Sequence, residues 1–143
     1  MAITLDDDAR RYLALFEEVT DVAGQDCLVD EHDGEERLVL VVASGRMGDA
    51  IGPGGRTVRR FEDRIEAPVR LVEDANDPET FVANALAPAA VYNVTISEND
   101  DTVAYVEVAN EDRGVAIGSD GRTIDTARRL AARHFDIDDV QLI

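Results

Sequence analysis

Residues 48–58 read GDAIGPGGRTV and residues 114–124 read GVAIGSDGRTI, so one glycine-rich pattern occurs twice in the chain. The two copies lie 66 positions apart, and seven of their eleven residues are identical without any gap. Chance agreement of this quality is rare, and a repeated segment indicates a repeated structural unit. The chain of 143 residues therefore contains two small units of one kind.

Hydrophobic periodicity around the first copy predicts an α-helix, a β-hairpin, a second helical region and a final strand. The pair Asp33-Gly34 is typical of the tight turn of a hairpin. In chain order, the predicted elements are a helix over residues 5–20, strands over 26–31 and 37–43, a helix from the glycines to about Glu66, and a strand over 68–72.

The second copy is surrounded by the same order of elements. Asp77-Pro78 marks a helix start, because aspartate caps helix N-termini and proline is favoured at the first helical position. The later elements are predicted as strands over 91–96 and 102–108, a helix to about His134 and a strand over 140–143.

Each unit is thus predicted as α-β-β-α-(glycine loop)-α-β, an α+β fold with a three-stranded sheet packed on helices. The boundary should fall near residues 73–76, which gives a first domain over residues 1–74 and a second over 75–143. An apolar fraction of 45% is enough for packed cores, and the composition does not indicate a disordered tail.

The repeated pattern contains a Gly-x-x-Gly loop between two helices, at residues 52–55 and 118–121. Glycine leaves the backbone open to a ligand and tolerates the positive φ angles of a tight turn. The helix that follows directs its unpaired N–H groups and the positive end of its dipole at the loop. Arg56 and Arg122 follow directly and can add charge-assisted hydrogen bonds. The loop therefore suits an anionic ligand; alternatively, the glycines only form a tight turn between helices.

Other glycine motifs do not fit these residues. A phosphate-binding P-loop needs a lysine, whereas all 14 basic residues of this chain are arginines. The dinucleotide-binding pattern needs a third glycine where Thr57 stands.

The frame Ile-Gly-x-x-Gly-x-x-(Val/Ile) resembles the signature of KH domains, whose glycine loop clamps the RNA backbone. The leading helix and strands resemble the prokaryotic, type II arrangement of that fold. Two such units in a short chain resemble the archaeal NusA-like transcription factors, and residues 26–30, 81–88 and 127–139 add to the resemblance. The resemblance implies two tandem type II KH domains, single-stranded RNA as ligand, RNA polymerase as a further partner, and a role in transcription termination or antitermination.

Under this hypothesis the RNA-binding residues are the two loops and the arginines that follow them, namely Gly52, Pro53, Gly54, Gly55, Arg56, Gly118, Ser119, Asp120, Gly121 and Arg122. Neither loop has the basic residue that is common at its two variable positions, and Asp120 would place a carboxylate against a phosphate. We therefore expect the first unit to bind RNA more strongly than the second. Four apolar residues are candidates both for contact with bases and for the core: Ile51, Val58, Ile117 and Ile124.

The chain has 31 acidic and 14 basic residues and a net charge of −17. Such a charge self-repels in dilute salt and is screened where the Debye length falls to about 3 Å, near 1 M. This favours a protein from the cytoplasm of a halophile, whose stability should rise between low and multimolar KCl. A functional acidic interaction surface is the alternative.

The arginines cluster around the loops, which leaves residues 46–70 and 113–133 locally positive at +2 and +3. An RNA-facing surface could therefore persist on an acidic protein. Some arginines, such as Arg59 and Arg64, could instead pair with acids along exposed helix faces.

The residue patterns do not indicate catalysis, a cofactor, a small-molecule substrate, a metal site or membrane association. His32 and His134 lack partners at catalytic spacing, and Asp6-Asp7-Asp8 lacks the rest of a calcium loop. Cys27 stands alone in a predicted strand and should be a buried apolar side chain. Two alternatives to an RNA-binding transcription factor remain open: a docking module for RNA polymerase or a ribosomal assembly, and a KH protein of RNA processing or ribosome biogenesis.

Overall fold

The order of elements is the same in two successive segments of residues 3–143, the part of the chain that the computed structural model describes. The first segment contains helix α1 (Asp7–Thr20), strands β1 (Gly24–His32) and β2 (Glu35–Val42), helices α2 (Met47–Ile51) and α3 (Arg56–Ile65), and strand β3 (Val69–Glu73). The second contains helix α4 (Pro78–Ala85), strands β4 (Val91–Glu98) and β5 (Thr102–Val108), helices α5 (Arg113–Ile117) and α6 (Arg122–Phe135), and strand β6 (Asp139–Leu142). The predicted α+β order of elements is confirmed.

Two compact units make up the fold, with the division between Asp74 and Ala75. Residues 1 and 2, where the first predicted domain begins, lie outside the described residues. The longest helices, α1 and α6, have 14 residues each. Within residues 3–143, no helix is both long and apolar enough to cross a membrane.

Each unit has a three-stranded sheet with the hairpin's second strand in the centre. In the first, β2 pairs antiparallel with β1 and parallel with β3, so that Leu40 lies opposite both Cys27 and Leu71. In the second, β5 pairs with β4 and β6 in the same two ways. The central strand β2 is buried over residues 38–42, which explains its continuous apolar run.

The hairpin and helix starts form where the sequence supplies the required residues. Asp33 and Gly34 both adopt left-handed conformations, with φ of 52° and 81°, as a two-residue hairpin turn requires. Asp77 caps α4 through Oδ2, which accepts from the Thr80 N–H at 2.8 Å. Hydrogen bonds from the Thr80 hydroxyl and, second, from the Thr80 N–H hold the pKa of Asp77 below its usual value. Asp6 caps α1 in the same way, so the helix begins at Asp7 and not at Leu5 as predicted.

The core of the first unit fixes the helix that follows its glycine loop. Phe16 of α1 and Phe61 of α3 are fully buried, and their rings meet edge to face with centroids 5.1 Å apart. Leu38, Leu40 and Val42 of β2 belong to the same core. Truncation of such a phenylalanine typically costs about 3–5 kcal/mol, so α3 is firmly held against α1 and the sheet.

The core of the second unit holds α6 against α4. The ring of Phe81 lies 5.0 Å from that of His134 and 5.2 Å from that of Phe135. Ala127 and Leu130 of α6 are fully buried. His134 thus packs on an aromatic side chain at the end of a helix.

Cys27 is buried beside the first core, as predicted. Burial, with smaller contributions from the carboxylates of Asp26 and Asp6, raises the pKa of its thiol to about 12. The thiol is therefore protonated and shielded at neutral pH, which agrees with a purely structural role.

Candidate nucleic-acid interface

The first glycine of each loop has a backbone conformation that other residues rarely adopt. Gly52 has φ 76° and ψ 172°, and Gly118 has φ 81° and ψ 172°. This region of backbone space is essentially restricted to glycine. The N–H of Gly52 donates to the Gly48 carbonyl at 2.9 Å, and the N–H of Gly118 to that of Gly114 at 2.9 Å. The preceding helix therefore ends in the same way in both units.

The threonine of the repeated Gly-Arg-Thr frame packs directly on this glycine. A Cβ atom on Gly52 would lie only 2.6 Å from the Cβ of Thr57, and one on Gly118 only 2.8 Å from the Cβ of Thr123. No side chain fits at such distances. The turn itself therefore requires glycine at these two positions, whatever ligand the loop binds.

The last glycine of each loop starts the next helix. Gly55 and Gly121 both have φ 78°, in the left-handed region. Their N–H groups donate to the carbonyls of Gly52 and Gly118 at 3.0 and 3.1 Å. Each loop is thus a closed, internally bonded turn, and helices α3 and α6 begin at the next residue.

The third loop position differs between the two units. Gly54 (φ 60°, ψ 20°) and Asp120 (φ 53°, ψ 30°) share the left-handed conformation, which aspartate can adopt. A Cβ atom on Gly54 would meet nothing within 4 Å, and both residues are exposed. The left-handed φ favours glycine at position 54, but Asp120 shows that the same turn also forms with a side chain there. Glycine at this position leaves bare backbone on the surface.

The predicted cationic residues differ in exposure. Arg56 is exposed directly after the first loop, whereas Arg122 is half-buried directly after the second. Within each unit, the five predicted residues are contiguous in space as well as in sequence. The structure thus presents two loop-and-arginine sites of the same shape.

Arg59 contacts the first loop, which sequence reasoning did not predict. Its Nη2 donates to the Gly54 carbonyl at 2.8 Å. This contact differs from the open alternative in which Arg59 pairs with acids along the helix face. A sequence signal was present, since Arg59 lies one helical turn after Arg56 and so faces the same side of α3.

The four apolar candidates divide into two classes. Ile51 and Ile117, each just before a loop, are 39% and 40% exposed, whereas Ile124 is only 6% exposed and Val58 is half-buried. Ile51 and Ile117 can therefore contact a ligand on the loop. Ile124 belongs mainly to the core of the second unit.

An open groove runs beside the second loop between α5, α6 and β6. Its lining residues are Arg113, Ile117, Gly121, Ile124, Asp125, Arg128, Gln141 and Leu142. Its apolar lining residues are Ile117, Ile124 and Leu142, and Gly121 is the last glycine of the loop. A flat, partly apolar ligand such as a nucleic-acid base would fit such a surface.

Two carboxylates pair with Arg128, one of the two arginines that line this groove. Arg128 pairs with Asp125 at 2.9 Å and with Asp139 at 2.9 Å, and its Nε donates to the Val140 carbonyl at 3.1 Å. The hydrogen bond from Gln141, followed by those from the Val140 N–H and Arg128 and by the charge of Arg128, lowers the pKa of Asp139, although burial opposes the shift. Asp139 therefore stays ionised at neutral pH, and Arg128 is already engaged by two carboxylates.

Comparisons with known proteins agree with this geometry. Residues 78–142 match the family model of the NusA-like second KH domain. Proteins named "Probable transcription termination protein NusA" from Halococcus morrhuae and Halobacterium salinarum are 59% and 60% identical over 142 residues, which cover 99% of this chain and 99% of each relative. The solved crystal structure of APE1850 superimposes with a TM-score of 0.84 at 27% identity, covering 97% of this chain and 100% of that one. The close relatives come from halophilic archaea, and the chain belongs to the NusA family.

Proposed function

We propose that this chain is an RNA-binding transcription termination factor that holds single-stranded RNA in two tandem type II KH domains, residues 1–74 and 75–143. The names of its relatives support the role in transcription, and the match to a KH family model supports RNA as the ligand. Support for a first KH domain comes from the element order and loop conformation that residues 4–74 share with the second unit.

One observation carries the proposal: Gly54 lies on an exposed loop at the start of a helix, at a position where the second loop accommodates an aspartate side chain. Gly52 and Gly55 correspond to glycines in the second loop, and Gly52 is also required by its contact with Thr57. A missing side chain at position 54 lets a ligand approach the backbone, and the start of α3 favours a negative ligand. A phosphate of the RNA backbone meets both conditions.

Binding combines three contributions at each loop. The phosphate accepts hydrogen bonds at the loop and from the arginine after it, Arg56 or Arg122. A base lies against the exposed isoleucine before the loop, Ile51 or Ile117. Because high salt weakens the phosphate contribution, the hydrogen bonds and the apolar contact should dominate in a halophile.

The experiment that tests this proposal is binding of a short single-stranded RNA at multimolar KCl, measured by fluorescence anisotropy. The full chain is compared with Gly54→Asp plus Arg56→Glu, which should fold, because Asp120 shows that aspartate fits this backbone conformation. We expect at least about tenfold weaker binding, the size of one lost charge-assisted hydrogen bond.

A matched control carries Gly34→Asp plus Arg10→Glu, which makes the same change in net charge. Gly34 also has a left-handed φ with open space around it, and both positions are exposed. Equal losses in both variants would mean that net charge alone is measured. Circular dichroism checks that each variant is folded.

A docking module for RNA polymerase is the second candidate, favoured by the carboxylates of Asp120 and Asp125 at the second loop. In this role the chain would contact the enzyme and not the transcript, and neither role needs a catalytic residue. A wild-type chain that does not bind RNA at any salt concentration, but binds purified RNA polymerase, would favour this candidate.

A further inference from the structure

We propose that the residue four positions after each loop, Arg59 in the first unit and Asp125 in the second, determines how tightly that loop holds the RNA backbone. The inference rests on the proposed function and assigns the difference between the loops to particular side chains. These two residues occupy equivalent places, 66 positions apart, on the first turn and a half of α3 and α6.

Arg59 covers the first loop with a positive charge. Its Nη2 donates to the Gly54 carbonyl at 2.8 Å, and its Nη1 lies 3.7 Å from where a Cβ of Gly55 would be. The hydrogen bond offsets the partial negative charge of the Gly54 carbonyl oxygen, which would otherwise repel a phosphate at this surface. A guanidinium has five N–H donors, and this bond uses one of them, so others can reach the phosphate.

Asp125 places a negative charge at the same spot on the second loop. Its Oδ2 lies 3.6 Å from where a Cβ of Gly121 would be, and its side chain is 64% exposed. Its Oδ1 accepts from Arg128 at 2.9 Å, so the local arginine is drawn toward the carboxylate. Together with Asp120, the second loop presents two carboxylates where the first presents a bare glycine and a guanidinium.

The charged residue three positions further along each helix, Glu62 or Arg128, bonds to the strand that follows the helix. Glu62 accepts from the Val69 N–H at 2.9 Å, and Arg128 donates to the Val140 carbonyl at 3.1 Å. Both bonds tie the helix to the strand that follows it. The order of charges at these two positions is therefore reversed between the units. Replacing Asp125 removes one partner of Arg128, whose other partners are the Val140 carbonyl and Asp139.

A gain of binding tests the inference most cleanly, because a misfolded variant cannot mimic it. The starting protein is the full chain with Gly54→Asp plus Arg56→Glu, whose first loop is disabled. Adding Asp120→Gly plus Asp125→Arg should restore binding of a short single-stranded RNA at multimolar KCl. We expect a gain of about tenfold or more, the size expected for one charge-assisted hydrogen bond.

The matched control adds Asp100→Gly plus Asp101→Arg to the same starting protein. These exposed residues lie in the β4–β5 turn of the second unit, and the change in net charge is identical. The control should gain less than about twofold, since exposed charges beyond a Debye length are largely screened. No gain in the loop variant, or an equal gain in the control, would overturn the inference.

Arg59 itself is tested by Arg59→Gln and the conservative Arg59→Lys in the otherwise wild-type chain. If Arg59 contacts phosphate, Arg59→Gln should flatten the dependence of log affinity on log salt by about one unit of slope, and Arg59→Lys should keep the wild-type slope. An unchanged slope in Arg59→Gln would contradict the phosphate contact.

If wild type binds RNA and the Gly54→Asp plus Arg56→Glu variant does not, but changes at residues 59 and 125 have no effect on binding, the inference fails and the proposed function stands. If wild type does not bind RNA, both fail.

Discussion

The two glycine loops of this chain have the same backbone and opposite charge. Gly52 and Gly118 agree within 5° in φ, yet Gly54 and Arg59 in the first loop correspond to Asp120 and Asp125 in the second. This difference teaches that the backbone conformation of a loop and its affinity for RNA are specified by different residues. The glycines and threonine of the frame form the turn, and the side chains around it determine which ligand the turn can hold.

The largest expected effect is a loss of stability on replacing the first glycine, which both loops share. Gly52→Ala and Gly118→Ala should each destabilise their unit by at least about 2 kcal/mol, because that backbone region costs other residues of order 1–3 kcal/mol and the new methyl group overlaps a threonine. Thermal unfolding at fixed multimolar KCl measures the loss. Gly54→Ala is the control and should cost only about 1 kcal/mol, the usual penalty of a left-handed residue. Equal costs at positions 52 and 54 would contradict the assignment of separate roles.

The next largest effect is a difference in RNA affinity between variants of the first loop and variants of the second. Arg56→Glu should weaken binding of a short single-stranded RNA by about tenfold, whereas Arg122→Glu should weaken it by less than about threefold. Arg56 is exposed beside a bare glycine, while Arg122 is half-buried beside a loop that carries a carboxylate. Anisotropy titrations of the two variants at one KCl concentration give the comparison. A larger loss in Arg122→Glu would reverse the ranking of the loops.

The smallest effect uses Cys27, the only cysteine of the chain, as a probe of the first unit. We expect very slow reaction with a thiol-specific disulfide reagent at pH 8, because the buried thiol has a pKa raised to about 12. Gly52→Ala should accelerate the reaction more than Gly118→Ala, since the altered loop and the thiol belong to the same unit. Equal rates in the two variants would show that the units open together.

The same thiol gives a pH dependence with a defined sign. Its folded pKa lies above the ordinary value of about 8.5, so unfolding releases a proton at alkaline pH. The stability that depends on the protonated thiol is complete below about pH 8.5 and decreases as the pH rises toward 12. A Cys27→Ala variant should lack this component of the alkaline decrease.

Much of the fold could be predicted because its signals are local. Asp33-Gly34 predicted the hairpin, Asp77-Pro78 predicted the start of α4, and the valines and leucines of residues 37–43 predicted the strand β2. Several strand and helix ends differ from their predicted positions by one or two residues; Asp6, for example, caps α1, which therefore begins two residues later than predicted.

The candidate site was less predictable, because its details depend on where side chains point in space. The sequence indicated the loops and Arg56, but the contact of Arg59 with the Gly54 carbonyl appears only in three dimensions. Ile51 and Ile124 looked equivalent by composition, yet one is 39% and the other 6% exposed, because the second faces the core of its unit. Hydrophobic periodicity alone could not predict this difference in exposure. Ile51 is the last residue of the short helix α2, and Ile124 lies in the first turn of α6, so both are close to a loop.

The most direct test of the central claim is an RNA titration of the ¹⁵N-labelled chain at multimolar KCl, followed by the backbone amide resonances of both loops. If the first loop clamps the RNA backbone, the amides of Gly54, Gly55 and Arg56 shift first and saturate at lower RNA concentration than those of Gly121 and Arg122. Binding that leaves the first loop's amides unchanged, or that saturates the second loop before the first, would contradict the account.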